Sequence, residues 1–320
     1  MYVQGMTWDK SFDSGNRLDF STQRSRASHA FLVVTIGACI LVSGVMSLVA
    51  LLPPASSILN LLSAPSLLEV SFLNIGQGDA TLIRTPSGVT ALIDAGPDSA
   101  IVSELASALP KVARLGVLIA SHFDADHIGG IPEVASRYDV GLFLSSGLEK
   151  QTGLAVEIQR LLGGVEQASV AAGDTIMLDA ASGTRLDILW PPQSVYDAGQ
   201  SDSNENSVVA MLRHGSNAVL LTGDAEAATE KRLVECYGST LDASVLKVAH
   251  HGSDSSSTSE FLRSVMPVAS VISVGEGNRY DHPKQGVVDA LFAVSPFVHI
   301  TKDEGRVTFV FDGVGFARAN

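Results

Sequence analysis

Within the run Ser121-His122-Phe123-Asp124-Ala125-Asp126-His127-Ile128-Gly129-Gly130, four side chains able to bind a cation fall inside six consecutive positions. Charged groups so crowded repel one another or stay in water, whereas a divalent ion turns the crowding into coordination. The alternative is an exposed acidic turn. Before the run, Val117-Leu118-Ile119-Ala120 reads as a buried strand; after it, Gly129, Gly130 and Pro132 open a helical segment. His122, Asp124, Asp126 and His127 therefore belong at the carboxyl end of a strand, and the fold must bring further ligands to them.

Two other strand ends offer such groups. Asn217-Ala218-Val219-Leu220-Leu221-Thr222 reads as a strand that stops at Gly223-Asp224, followed by a helix over 225–237 with Glu230 and Lys231 outward. Ser244-Val245-Leu246-Lys247-Val248-Ala249 runs into His250-His251-Gly252-Ser253 and a Ser-rich segment, 253–259, that reads as a mobile loop. Alone, Asp224 fits a helix N-cap as well as a ligand, and a His pair fits an ordinary surface feature. Their joint occurrence, in this order, favours ligands.

These residues resemble a known family. His122-Phe123-Asp124-Ala125-Asp126-His127 is similar to the metallo-β-lactamase signature His-x-His-x-Asp-His, with Asp124 at the second His. Five further segments complete the likeness to the hydrolase domain of ComEC-type DNA-uptake (competence) proteins. They are Phe72-Leu73-Asn74-Ile75-Gly76-Gln77-Gly78-Asp79-Ala80, Leu92-Ile93-Asp94-Ala95-Gly96, Leu221-Thr222-Gly223-Asp224-Ala225-Glu226, Leu246-Lys247-Val248-Ala249-His250-His251-Gly252-Ser253 and Asn278-Arg279-Tyr280-Asp281-His282-Pro283. The resemblance covers residues 67–312. It departs at Asn74, where Asp is common, and at Asp281, where Gly is common. No His lies between residues 128 and 213 to act as the usual third ligand of the first metal; Asn204, Asn206 and Ser207 occupy that region, so a loosely held first metal is expected.

The resemblance implies an α/β fold, an αββα metallo-β-lactamase-like sandwich over 67–320, holding two divalent ions. His122 and Asp124 would face one ion, Asp126, His127 and a member of the His250/His251 pair the other, with Asp224 bridging. Asp126, His251 and His282 are the residues expected to act in catalysis; Asp79, Asp94, Asn206, Ser253 and Asn278 are expected to orient ligands or touch substrate. Two cations roughly 3.5–4 Å apart lower the pKa of a shared water towards ~7, giving a hydroxide nucleophile, and one cation also neutralises a phosphodiester oxygen. The spare His of the pair, or His282, would protonate the leaving oxygen; His282 equally fits a turn cap before Pro283, and Asp94 a brace for the Ala95-Gly96-Pro97 turn. His and carboxylate ligands without Cys suit zinc or manganese. Cys39 and Cys236, the only two cysteines, are badly placed to pair.

Upstream, residues 30–52 form a 23-residue stretch without a charged side chain, ended by Pro53-Pro54. That length spans a bilayer with some tilt and exceeds the ~7–15 apolar residues of a cleavable signal peptide, the competing reading. Arg17, Arg24 and Arg26 precede it and no Lys or Arg follows until Arg84, so the expectation is a single-pass membrane protein. Its cytoplasmic tail would be 1–29, its linker 53–66 and its hydrolase domain non-cytoplasmic. A dozen strand-like runs between residues 67 and 311 alternate with helical segments at 101–109, 153–162 and 260–266, which means α/β.

The formal net charge is −13, whereas nonspecific binding of long nucleic acid normally needs a basic surface. Contact with short single-stranded DNA, helped by bound metals, remains compatible with it, and a single span predicts a protein that is not itself a channel but works beside one. The leading expectation is a membrane-anchored, metal-dependent phosphodiesterase or nuclease. The alternatives are hydrolysis of a lactone, thioester or envelope phosphoester at the same site, and a non-catalytic metal-binding scaffold.

Overall fold

Alternation of apolar and polar side chains along β1 (Leu68–Phe72) sends Leu68, Val70 and Phe72 into the core. Outward, Glu69 meets Arg84 and the Ser71 hydroxyl meets Thr308. A computed structural model describes residues 67–109, 114–147, 152–194 and 204–319; the expected tail, span and linker over 1–66 lie outside them. Among the described residues no helix is long and apolar enough to cross a membrane.

After β1 come β2 (Thr81–Arg84), β3 (Thr90–Ile93), β4 (Arg114–Leu115), β5 (Val117–Ala120), β6 (Asp139–Val140), β7 (Leu142–Ser145) and β8 (Glu166–Ser169). The second half supplies β9 (Thr175–Asp179), β10 (Thr184–Trp190), β11 (Val209–His214), β12 (Asn217–Leu221), β13 (Val245–Lys247), β14 (Ala269–Ile272) and β15 (Phe297–Ile300). The hairpin β16 (Val307–Phe311) and β17 (Phe316–Ala319) then returns to the first sheet. One sheet runs β17-β16-β1-β2-β3-β5-β7-β8, the other β15-β14-β13-β12-β11-β10-β9, with β4 and β6 a separate ribbon. Each sheet joins an antiparallel portion to a parallel one: β3, β5, β7 and β8 are parallel in the first, β12 to β15 in the second.

The interior parallel strands β3, β5, β7, β12, β13 and β14 are buried on both faces, and that is why they are largely apolar runs; β8 and β15, at the sheet edges, are exposed or half-buried. Val117 and Ile119 of β5 face the other sheet, while Leu118 and Ala120 meet helices. Val219 and Leu221 of β12 likewise face inward, Ala218 and Leu220 outward. Helix Gly153–Leu162 lays Ala155, Ile158 and Leu162 on the first sheet; helix Ser259–Val265 lays Phe261, Leu262 and Val265 on the second. The layers are thus helix, sheet, sheet, helix.

Helix Ala227–Tyr237 corrects one expectation, because Glu230 is buried rather than outward. Its carboxylate accepts the backbone N–H of Ser257 at 2.5 Å and of Thr258 at 2.8 Å, so tertiary packing overrides the helix periodicity. The Ser-rich segment is correspondingly not loose. Ser253, Ser256 and Ser257 are buried, and Ser256 Oγ donates to Ala249 O at 3.1 Å. Asp94, Ser121–His127 as a run of residues, Asp224 and the His250-His251 pair all follow carboxyl ends, of β3, β5, β12 and β13.

Candidate metal centre

After β5, the chain makes a single helical turn, Ala125–Ile128, with Asp124 at its N-cap. The turn buries His127 and Ile128 and leaves Asp126 partly exposed. Backbone bonds lock it to neighbouring strand ends: Ala95 N–H donates to His127 O at 2.7 Å and Asp79 N–H to Asp126 O at 3.2 Å. The approach of the Asp79 segment requires glycine at 78, where a Cβ would stand 2.0 Å from Asp126 O and φ is +140°.

The second sheet presents its ligands differently. Asp224 follows β12, its N–H donating to Ser207 Oγ at 3.1 Å. His250 and His251 both adopt left-handed backbone, with φ of 48° and 54°, a conformation costing of order 1–3 kcal/mol per residue unless the surroundings over-determine it. They do: His250 N–H reaches Gly223 O at 3.2 Å, Ser253 N–H reaches His250 O at 2.8 Å and Lys284 N–H reaches Gly252 O at 2.9 Å.

One ligand atom from each of Asp126, His127, Asp224 and His251 lies within 4.8 Å of the others. His127 Nε2 is 3.2 Å from Asp224 Oδ1; His251 Nε2 is 3.4 Å from Asp126 Oδ2 and 3.5 Å from Asp224 Oδ2. Yet His127 Nε2, His251 Nε2, Asp224 Oδ1 and also His122 Nε2 are buried with no aligned hydrogen-bond partner. The His122 ring lies 4.1 Å from that of His127. Buried polar atoms are left unpaired only at a cost, and imidazole nitrogens with carboxylate oxygens converging on one point are a divalent ion's donor set. The residues fit a bound metal.

The opposite ring nitrogens are fixed. His127 Nδ1–H donates to Asp94 Oδ2 at 2.9 Å, and Asp94 also accepts Ser121 N–H and Oγ–H at 2.7 Å each. His251 Nδ1–H donates to Ser273 O at 3.0 Å. His122 Nδ1 meets only hydroxyls, Ser121 Oγ at 3.0 Å and Ser207 Oγ at 3.3 Å. Such bonds set the tautomer that turns Nε2 towards a cation.

The field of the cluster calls for positive charge at its centre. Burial opposes ionisation of Asp224, but His127 and His251 hold its carboxyl well below the usual range. Burial likewise opposes protonation of His251, which Asp224 and Asp79 nevertheless hold up at about 10, and of His127, which Asp224 and Asp94 hold well above its ordinary value. His122 goes the other way, to about 4, through burial and the charge of His127.

Asp124 stands outside the four-residue cluster, near enough to His122 for its charge to oppose that fall. His250 lies at the rim, its Nδ1 3.1 Å from Glu226 Oε1 and its Nε2 3.9 Å from Asp224 Oδ2; His251 is the member of the pair brought into the cluster. His282 stacks on Tyr280 with ring centroids 5.7 Å apart, and its Nδ1 is buried without a partner. Asn278 ties that loop together, donating to Gly275 O and His282 O and accepting His282 N–H. Asn206 is buried beside Ser207, and Ser253 Oγ accepts Ser255 N–H.

Sequence reasoning assigned nothing to Lys247. It is buried, with Nζ 2.7 Å from Asp79 Oδ2 and donating to Val248 O at 2.7 Å, while Asp79 Oδ1 lies 3.4 Å from His251 Nδ1. A lysine inside the apolar run Val245-Leu246-Lys247-Val248 was the available signal. Ser121 and Glu226 carried none. Beside Asp126 opens a cavity of about 410 Å³, lined by Gln77, Pro97, Ala125, Asp126 and residues 278–280. A larger one, about 540 Å³, lies by Arg114 and Glu166, at the amino ends of β4 and β8 and away from the clustered ligands.

The Metallo-beta-lactamase superfamily profile matches residues 73–276. ComE operon protein 3 of Bacillus subtilis is 28% identical over 75% of this chain and 33% of its own length. Recombination protein 2 of Haemophilus influenzae is 32% identical over 76% of this chain and 29% of its own length. The chain therefore spans about a third of the curated relatives it matches. Among solved structures, CmlA, a diiron beta-hydroxylase from Streptomyces venezuelae, is similar with a TM-score of 0.50 at 14% identity, over 80% of this chain and 55% of that one.

Proposed function

Because the chain belongs to the metallo-β-lactamase superfamily, in general metal-dependent hydrolases, we propose that it is a metal-dependent phosphodiesterase or nuclease acting on short or single-stranded DNA. The observation that carries the reading is the convergence of unpartnered His127 Nε2, His251 Nε2 and Asp224 Oδ1 beside an open cavity. A structural ion is usually closed by four protein ligands, often Cys, whereas here Asp126 is partly exposed and reaches the cavity. The names of the relatives, Recombination protein 2 and Competence protein ComA of Neisseria gonorrhoeae, support DNA as the substrate.

In this reading His122 and Asp124 would hold one divalent ion and Asp126, His127 and His251 the other, with Asp224 a further ligand; zinc or manganese would suit the donors. The bound ions supply Lewis acidity and a nucleophile at neutral pH. Asp94 and Ser273 O keep the rings of His127 and His251 turned inward. His250 faces the cluster through Nε2, and His282 stands 5.9 Å from it, ring to ring; either delivers the proton to the leaving oxygen. Residues 30–52 we propose as the membrane anchor, on the strength of their length, lack of charge and the arginines before them, with a separate channel protein as partner.

The purified full chain, loaded with Mn²⁺ or Zn²⁺, is expected to hydrolyse bis(p-nitrophenyl) phosphate and single-stranded oligonucleotide. Asp224→Ala is expected to lower both rates at least about 100-fold together with metal content. Hydrolysis of lactone or thioester substrates alone would sink the phosphodiester reading, and no hydrolysis at all would leave the metal-binding scaffold.

A further inference from the structure

We propose that Arg279 is a phosphate-holding residue beside the metal centre, which makes the preferred substrate a strand with several phosphates rather than an isolated diester. The inference rests on the phosphodiesterase reading and names its substrate more narrowly.

Arg279 lines the cavity that Asp126 enters from the metal side. Its guanidinium donates to Tyr280 Oη at 2.5 Å and lies 4.8 Å from that ring's centroid, and among the described residues no carboxylate stands within 4.0 Å of it. In a chain with thirteen more acidic than basic residues, an exposed arginine beside a site rich in carboxylates yet paired with none is free to take an anion from solution.

The loop is built to present it. Asn278 closes residues 278–282 at both ends through three hydrogen bonds, and Tyr280 also stacks with the His282 ring at an interplanar angle of 15°. Gln77, which lines the same cavity, accepts Gly275 N–H at 3.3 Å and has its Nε2 buried as a donor without a partner. A planar guanidinium held by an aromatic hydroxyl recognises phosphate oxygens well. The reacting phosphate belongs at Asp126, His127, Asp224 and His251. Arg279 therefore serves a neighbouring phosphate of the same strand, which an isolated diester does not have.

The test compares substrates on the full chain. Arg279→Ala is expected to raise KM about tenfold for a single-stranded oligothymidylate, at least fivefold more than for bis(p-nitrophenyl) phosphate, and Arg279→Lys to recover part of the loss. A binding arm needs no metal: by fluorescence anisotropy in EDTA, Arg279→Ala should weaken oligothymidylate binding and reduce the slope of log affinity against log salt by about 0.7, one phosphate contact on a single strand. Equal KM changes for both substrates, an unchanged salt slope, or no oligothymidylate binding by the parent chain would each overturn the proposal. A parent chain that binds with the expected slope but hydrolyses neither substrate would instead overturn the phosphodiesterase reading alone.

Discussion

The two sheets deliver their histidines to one point by opposite means. The first sheet uses a helical turn in ordinary backbone, with Asp94 bonded directly behind His127. The second uses consecutive left-handed residues, His250 and His251, with a carbonyl behind the ligand and a buried ion pair beside it. The first turn is therefore stable by local geometry, whereas the second is a strained piece kept in shape by its neighbours. A contiguous motif can be read in a sequence because its geometry is local. The second turn cannot be read that way.

Breaking the ion pair should produce the largest contrast. Lys247→Met leaves Asp79 buried without its cation, a change that costs about 3–5 kcal/mol where a charge loses its partner in the interior. Because Asp79 lies against His251 Nδ1 and its N–H holds Asp126 O, the loss should also lower metal affinity. Urea unfolding with metal titration checks this. If Lys247→Met/Asp79→Leu restores stability while Lys247→Met alone lowers it, the ion pair rather than the packing of lysine is responsible.

On the first turn the corresponding change is milder. Asp94→Asn keeps the shape but can no longer accept from His127 Nδ1–H and both Ser121 donors as a carboxylate does. Loss of such a partner typically costs 10–100-fold in metal affinity, and isothermal titration with Zn²⁺ should fall in that range with little change in melting temperature. A larger drop in stability than Lys247→Met gives would reverse the comparison between the two turns.

Much of this architecture was legible beforehand. The buried strand Val117–Ala120 and helix Gly153–Leu162 lie where periodicity put them, because their burial pattern is local. The run His122 to His127 read as a cation-binding loop for the same reason, and Asp126 and His127 of it do enter a cluster able to hold a metal. What escaped the sequence was tertiary: that His251 rather than His250 enters the cluster depends on left-handed angles, and Ser207 meets His122 across 85 positions. Lys247 was visible as an oddity, yet only its contact with Asp79, from the other sheet, says what it does. Glu230 was misread because a glutamate on an amphipathic helix ordinarily faces water.

That glutamate gives the smallest test of the contrast, at one remove from the strained turn. Glu230 holds Ser257 and Thr258 through two backbone N–H groups, and Ser256 of the same segment holds Ala249 at the base of the His pair. Glu230→Gln puts an NH2 group, which cannot accept, where a carboxyl oxygen faces one of the two N–H groups in either protonation state, so it should cost about 1–3 kcal/mol for the donor left unsatisfied. Burial raises the Glu230 pKa, against the lowering by its Thr258 and Ser257 bonds. A group whose folded pKa is raised stabilises the fold below its unfolded pKa and loses that contribution as pH rises through the folded value. The deficit of Glu230→Gln relative to the parent should accordingly be greatest in mild acid and shrink as pH rises past the folded pKa of Glu230, read as melting temperature at a series of pH values. A deficit that widens with pH would mean that the ionised carboxylate is the better staple and that burial is not what governs this residue.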